Sequence, residues 1–568
     1  MKQFNIIRQV FALTVSALLI LLFLGCDEFL TPDKDNVYLE TEILKDPSMA
    51  EGILLKAYSG VPAISNFSEV ATDDAVSNDN ANNFRLASTG EWKSTNNPFS
   101  VWNNSYTNIA YVNLFLDVVN KVTWSYKSEW QNENFRKRLT AEAYALRALY
   151  QFRLLQAHSG YDADHNLLGF PILDKSIKIS DDWKSMRRES YDNCVTQILS
   201  DLEIAIEGLP DVYADADASD PNKALKDAVY GSRFVNRINK RVAMMLKART
   251  LLHAASPAFN PSGDKTKWVA AADAAAAVID AYGGLTKLTS SRLEYYLSET
   301  STDILWRKDY TTSRSLEADN FPPSLYGNGR VNPTQNFVDE FPTINGVPIK
   351  MNPANFDVTQ PYKNRDPRLA KYVIYNGSSF KGNVINTIDG PKDGVNMLAG
   401  TSTRTGYYLK KLLNSNVNLT PGNIINQRHF VTLMRYTEVF LMYAEAANEA
   451  WGPDGTGTHE YSARQVIAKI RETAGITTDN YIATVTTLED MRQLIRSERR
   501  IELSFEGFRF WDIRRWKDIA KMKETAKGTM DGGISAIDVE KRMYNDFMIY
   551  GPIPDSEFRK GLVQNEGW

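Results

Sequence analysis

RSERRIELSFEGFRFWDIRRW, residues 496–516, decides how this 568-residue chain is read. A charged helix runs into a turn in which Phe505, Phe508, Phe510 and Trp511 alternate with arginines and acids. Arg499, Arg500, Glu502, Glu506, Arg509, Asp512, Arg514 and Arg515 sit among those rings, a composition suited to buried charge pairs braced by aromatic packing. Pairs of this kind fix geometry more reliably than they add stability, because desolvation offsets much of their attraction. Glu438 and Glu445 lie on a helix predicted over 433–450, and they too read as partners for arginines rather than as a catalytic acid and base.

Outward from this segment, apolar periodicity predicts helices over 105–121, 136–157, 190–208, 238–255, 267–281, 433–450, 461–473 and 487–504. In the 433–450 helix Val439, Phe440, Tyr443, Ala444 and Ala447 form one stripe. AEAYALRAL at 141–149 and VAMMLKART at 242–250 place alanines on such faces, where small side chains let helix axes approach closely. The expected fold class is mainly α, built of stacked helix pairs; no fixed 34-residue period supports a regular solenoid. Residues 306–432 differ: GNGRVNP at 327–333 and INGVP at 344–348 mark turns in a stretch rich in Gly, Pro, Asn and aromatics. That stretch is expected to form an irregular layer over the helices.

At the other end, Lys2 and Arg8 precede fifteen apolar or small residues from Val10 to Leu24, followed by FLGC at 23–26 and the pair Asp27 and Glu28. This is the layout of a lipoprotein signal peptide, with cleavage after residue 25 and lipid on Cys26. The expected organisation is a leader at 1–25, a tether at 26–45, a helical part at 46–305 and a second part at 306–568 packed against it. An uncleaved anchor helix is the alternative, and either places the bulk of the chain outside the inner membrane.

Composition and motifs exclude several activities. The chain carries 65 basic and 69 acidic residues, and loss of the leader removes only Lys2 and Arg8, so nothing favours nucleic acid as a partner. Cys194 is the only cysteine besides Cys26, leaving no intrachain disulfide in an acylated chain. His158, His165, His253, His429 and His459 lack metal-ligand spacing, and no phosphate-binding loop, dinucleotide fingerprint or serine elbow is present. Asp-rich YADAD at 213–217 and its surroundings lack a calcium-loop signature. No metal or cofactor is expected. A glycosidase needs only two facing carboxylates, which sequence alone does not show.

The 496–516 segment resembles the C-terminal signature of the SusD/RagB family of outer-membrane lipoproteins. Further matches follow the family's order: KRVAMMLKARTLLHAASPAFN at 240–260, PTQNFVDEF at 333–341, YKNRDPRL at 362–369, GYYLKKL at 406–412 and LMRYTEVFLMYAEAANEA at 433–450. TDDAVS at 72–77 and WNNSYTNIAYVNLFL at 102–116 are similar to its N-terminal half. The resemblance implies a scaffold of tetratricopeptide-like helix pairs without catalytic activity. It also implies a lipid-anchored protein of the cell surface that captures a nutrient oligomer and passes it to a TonB-dependent, SusC-like transporter.

Some members of that family bind glycans and others serve peptide uptake, so the ligand has to be read from the loops. Flat rings bind the apolar faces of pyranoses while amides and guanidinium groups take the hydroxyls. Residues 73–104 have that makeup, and Asp73, Asn80, Arg85, Trp92 and Asn97 are the candidates there. Arg85, Trp92 and Asn97 resemble, in type and order, residues of a starch-binding member, with Trp92 expected as the stacking platform. Trp102 begins a helix motif and is expected in the core. Tyr310, Phe321, Tyr326 and Arg330, on a Gly- and Pro-rich loop, form a second candidate set. The preferred ligand is an oligo- or polysaccharide; a peptide-binding subunit of an importer and an extracellular glycosidase are the rivals.

Overall fold

The structure, a computed structural model, describes residues 43–62, 66–177 and 186–568. Cys26 and the leader lie outside the described residues, as does most of the tether. Six helices longer than ten residues, with shorter helical segments between some of them, follow one another in the first part: α1 (Pro47–Ser59), α2 (Trp102–Val118), α3 (Glu129–His158), α4 (Tyr191–Gly208), α5 (Lys240–Ala255) and α6 (Lys265–Tyr282). Each packs on its predecessor in the chain. After the irregular stretch come α7 (Tyr436–Trp451), α8 (Ala463–Ala474), α9 (Leu488–Glu502) and α10 (Arg509–Arg515). α7 packs on α6, and α8 and α9 pack on α7, so one apolar core continues from Ala50 through Ile470 across both parts of the chain.

Local chemistry explains the helix limits. Ser128, Ser190, Asn239, Asp264, Ser462 and Thr487 each accept a hydrogen bond from the first turn of the helix they precede. Such a cap contributes about 1 kcal/mol. The Ser128 cap starts α3 seven residues before the predicted 136. α7 starts three residues later than predicted, because Thr432–Arg435 pairs as a strand instead. Alanine's role in close packing is visible where α4 ends: a Cβ on Gly208 would lie 2.6 Å from Ala141 Cβ of α3. Among the described residues no helix is long and apolar enough to cross a membrane.

Strands are short and pair two by two among the described residues. They include β1 (Ala75–Ser77), β2 (Ile304–Arg307), β3 (Thr311–Ser313), β4 (Val331–Pro333), β5 (Gln427–His429), β6 (Thr432–Arg435), β7 (Ala526–Gly528) and β8 (Ile537–Glu540). β1 pairs with β4, β2 with β6, β3 with β5 and β7 with β8, all antiparallel. The Ser77↔Val331 register holds the 78–92 loop beside the 321–330 loop.

The 496–516 segment forms a buried seam of charge. Glu502 lies 3.2, 3.0 and 3.4 Å from guanidinium nitrogens of Arg292, Arg368 and Arg435. Arg515 meets Glu445 through both terminal nitrogens, at 2.5 and 2.6 Å, and Trp516 donates to the same carboxylate at 2.6 Å. Burial alone would raise these carboxyls, but the facing guanidiniums more than offset it and bring both Glu445 and Glu502 down to about 2. Arg509 holds Asp73 with two bonds of 2.9 and 2.8 Å, and Arg500 approaches the same acid at 2.9 Å. Asp73 therefore belongs to the seam and not to a ligand surface; it is fully buried.

Candidate functional site

Four of the sequence candidates, Asn80, Arg85, Tyr326 and Arg330, lie on the two loops that are tied together where β1 and β4 leave their ladder. Asn78, just past β1, donates from Nδ2 to the carbonyls of Asn328 at 2.9 Å and Gly329 at 2.8 Å, tying the two loops together. Arg330 Nη1 donates to Gly400 O at 2.9 Å and reaches Asn78 Oδ1 at 3.5 Å. Arg85 bonds Asn80 Oδ1 through Nη1 and Glu540 of β8 through Nε at 2.8 Å. Glu540 is shared with Arg404, whose guanidinium also donates to Ser77 O.

Tyr326 stands at the edge of this network, 54% exposed. It ends a single helical turn, Pro323–Leu325, in the left-handed conformation with φ 64°. Gly327 follows because a Cβ there would meet Phe321 O at 2.1 Å. The turn is anchored by Ser324 N donating to Asp393 Oδ1 at 2.8 Å, and Lys392 Nζ lies 5.9 Å from the Tyr326 ring. The result is a pair of joined loops, one bearing the exposed ring of Tyr326 and the guanidinium of Arg330, the other the amide of Asn80 and the guanidinium of Arg85. A sugar could stack on the ring and hydrogen-bond to its surroundings.

Trp92 and Asn97 are not on that face. Trp92 is 2% exposed and packs edge-on against Phe99 and Trp568, with ring centroids at 5.0 and 4.8 Å. Arg514 Cζ lies 4.8 Å from its ring. Its Nε1 donates to Asn97 Oδ1 at 2.9 Å, and the same oxygen accepts from Phe99 N at 3.0 Å. The expected platform is thus a core residue, because burying so large a ring among aromatics outweighs exposing it. Trp102 is buried as expected, whereas Phe321 is fully buried too, in a separate apolar cluster with Phe380 and Tyr408.

Tyr310 lies elsewhere, in the turn between β2 and β3. Arg307 Cζ is 4.4 Å and Arg428 Cζ 4.0 Å from its ring, and Phe430 stands edge-on at 5.8 Å. Beside it opens a cavity of about 290 Å³ whose lining includes Thr311, Ser313 and Ser315 together with Tyr296, His429 and Phe430. Glu438 and Glu506 also line it, yet Glu438 is held by Arg249 at 2.5 Å and Glu506 by Arg435 and Lys411 at 2.8 and 2.7 Å. Burial raises the Glu506 carboxyl, but Arg435 and Lys411 outweigh that and hold it below its usual range. This is the opposite of what a general acid needs. The sequence reading missed Arg307, Arg428 and Phe430. Their signal was QRHF at 427–430, where basic and aromatic residues alternate in an extended segment opposite 311–313.

Among the described residues no cluster of His, Cys, Asp and Glu has the arrangement of a metal site.

The structural class is a helix-pair scaffold carrying an open, loop-borne face of rings, amides and guanidiniums. Two family models match the sequence, one described as the SusD family over residues 296–568 and one described as starch-binding, associating with outer membrane, over residues 29–236. The chain belongs to the SusD/RagB family. A curated relative, a SusD-like protein of Formosa agariphila, is 26% identical over 244 residues, covering 39% of this chain; the match spans 40% of that relative's length. The structure is similar to a SusD-like protein of Bacteroides fragilis, with TM-score 0.72 and 24% identity over 95% of this chain and 100% of the other. It is also similar to a SusD-like carbohydrate-binding protein of the same species, with TM-score 0.69 and 21% identity over 91% and 99%. At these identities the two structures speak for the fold.

Proposed function

We propose that this protein is a lipid-anchored glycan-binding protein of the cell surface that captures oligo- or polysaccharide and delivers it to a TonB-dependent, SusC-like outer-membrane transporter. Family membership supports surface glycan binding, and one structural relative is named as a carbohydrate-binding protein. The observation that carries the reading is Tyr326, a large ring left in solvent on the loop that also bears Arg330 and that Asn78 ties to the loop of Asn80 and Arg85, while the candidate rings Trp92 and Phe321 are buried. A ring held in solvent by a rigid turn is a stacking surface, and the flanking groups match the hydroxyl pattern of a sugar.

Membrane attachment follows from Cys26 and its setting in the sequence. Fatty-acid labelling in cells should mark the wild-type chain and be lost in Cys26→Ala. Affinity electrophoresis of the purified chain through plant, fungal and host polysaccharides should show retardation by at least one. Binding to peptides and to no polysaccharide would move the protein to peptide uptake and end the glycan reading.

A further inference from the structure

The Tyr310 turn carries more positive charge than its neighbourhood neutralises. Arg307 has no carboxylate within ion-pair distance among the described residues; its one hydrogen bond is a long one, 3.4 Å, to Lys308 O. Its guanidinium instead lies 4.4 Å from the Tyr310 ring and 5.4 Å from the Phe430 ring. Arg428 reaches the same tyrosine at 4.0 Å, so two like charges converge on one ring. Arg314, exposed at the end of β3, bonds only Asn426 Oδ1 at 3.1 Å, and Lys308 adds a further cation.

Two acids stand near. Glu299 pairs with Arg428 at 3.0 Å, both side chains about half exposed, and Asp309 is bonded by Asn236. An exposed pair of that kind contributes little and is readily exchanged for another anion. The neighbourhood therefore keeps a surplus of positive charge on a chain whose overall net charge is −4. Thr311 and His429 beside these groups, and Phe430 under Arg307, line the adjoining 290 Å³ cavity, whose hydroxyls from Thr311, Ser313 and Ser315 and aromatic walls suit a sugar ring, its acids Glu438 and Glu506 being already paired.

Resting on the glycan-binding reading above, we infer that the Tyr310 turn is a second saccharide subsite and that it selects anionic sugars, with Arg307 and Arg428 gripping a carboxylate or sulfate. Guanidinium forks match the oxygen geometry of both anions, and a ring between two such forks keeps them pre-oriented. The sugar carrying the anion packs against Phe430 and Tyr310 at the cavity mouth. Nothing in this arrangement requires the Tyr326 face to discriminate charge.

The test uses the purified chain and a panel of uronate-bearing and sulfated polysaccharides, each paired with its carboxyl-reduced or desulfated form. Wild-type protein should bind the anionic member of at least one pair tenfold or more tighter at 50 mM salt, and the preference should shrink at 0.5 M. Which pair responds separates carboxylate from sulfate. Arg307→Gln and Arg428→Gln should each bring the anionic form close to the affinity of its neutral counterpart, with thermal unfolding unchanged. Equal binding of the two forms, or a preference untouched in both variants, overturns the anionic subsite and leaves glycan capture standing. Binding to no polysaccharide of any kind overturns both.

Discussion

The 496–516 seam and the Tyr326 face use the same residue types, arginine, carboxylate, amide and aromatic ring, to opposite ends. In the seam Arg500, Arg509 and Arg515 each meet a carboxylate within 2.9 Å, and the rings of Phe505, Phe510 and Trp516 beside them are buried. On the face the ring of Tyr326 is in solvent, while Asn80 is exposed and Arg85 and Arg330 are partly so. Residue type does not distinguish scaffold from site. What distinguishes them is exposure: Arg85 and Arg330 are bonded too, but their groups and the Tyr326 ring keep a side in water.

Breaking the seam should have the largest effect. Glu502→Ala leaves the buried Arg292 with no carboxylate and takes one of several from Arg368 and Arg435, and the cost is about 3–5 kcal/mol of unfolding free energy in urea titration. Glycan affinity of the molecules that remain folded should not change. Trp92→Ala is expected next, at about 3 kcal/mol, because it opens a cavity among Phe99, Phe510 and Trp568. Loss of glycan binding in that variant without loss of stability would return Trp92 to the ligand surface.

Acidification sharpens the same contrast. Burial lowers His158 to about 4 and His253 to about 3, so both stay neutral in the folded chain while the unfolded chain takes up protons below about 6.5. The unfolded state then binds more protons, and stability falls as pH drops from 6.5 towards 3. Glu445 and Glu502, depressed to about 2, extend the loss below about 4.5. Glu69 runs the other way: burial raises its carboxyl to about 7, which favours the folded state as pH falls from 7 to 4.5. Two histidines outweigh one glutamate, so the urea midpoint should fall steadily from pH 6.5 to 4. A midpoint that rises over this range would contradict the burial of His158 and His253.

Much of the scaffold was legible in sequence. All eight predicted helices form, because each buries apolar side chains at helical spacing and most have a capping side chain at the start. The seam was legible as well, since ten charges and five rings in so short a stretch have few ways to be accommodated. The face was harder. Asn80, Arg85, Tyr326 and Arg330 were on the candidate roll, but so were Asp73, Trp92 and Asn97, and the sequence offers no sign that Trp92 turns inward. That is decided by Phe510, Tyr544 and Trp568, more than 400 residues away in the chain. Arg428 and Phe430 were missed for the same reason, because their meeting with Tyr310 depends on the long-range pairing of β3 with β5.

The smallest structural change tests the most. Tyr326→Ala alters an exposed ring and should leave unfolding free energy within about 0.5 kcal/mol of wild type. Isothermal titration of a glycan that the wild-type chain binds should nevertheless show affinity lowered about tenfold, the loss of one stacking surface worth about 1–2 kcal/mol. Unchanged affinity in a fully folded Tyr326→Ala protein would contradict the assignment of this face as the glycan site.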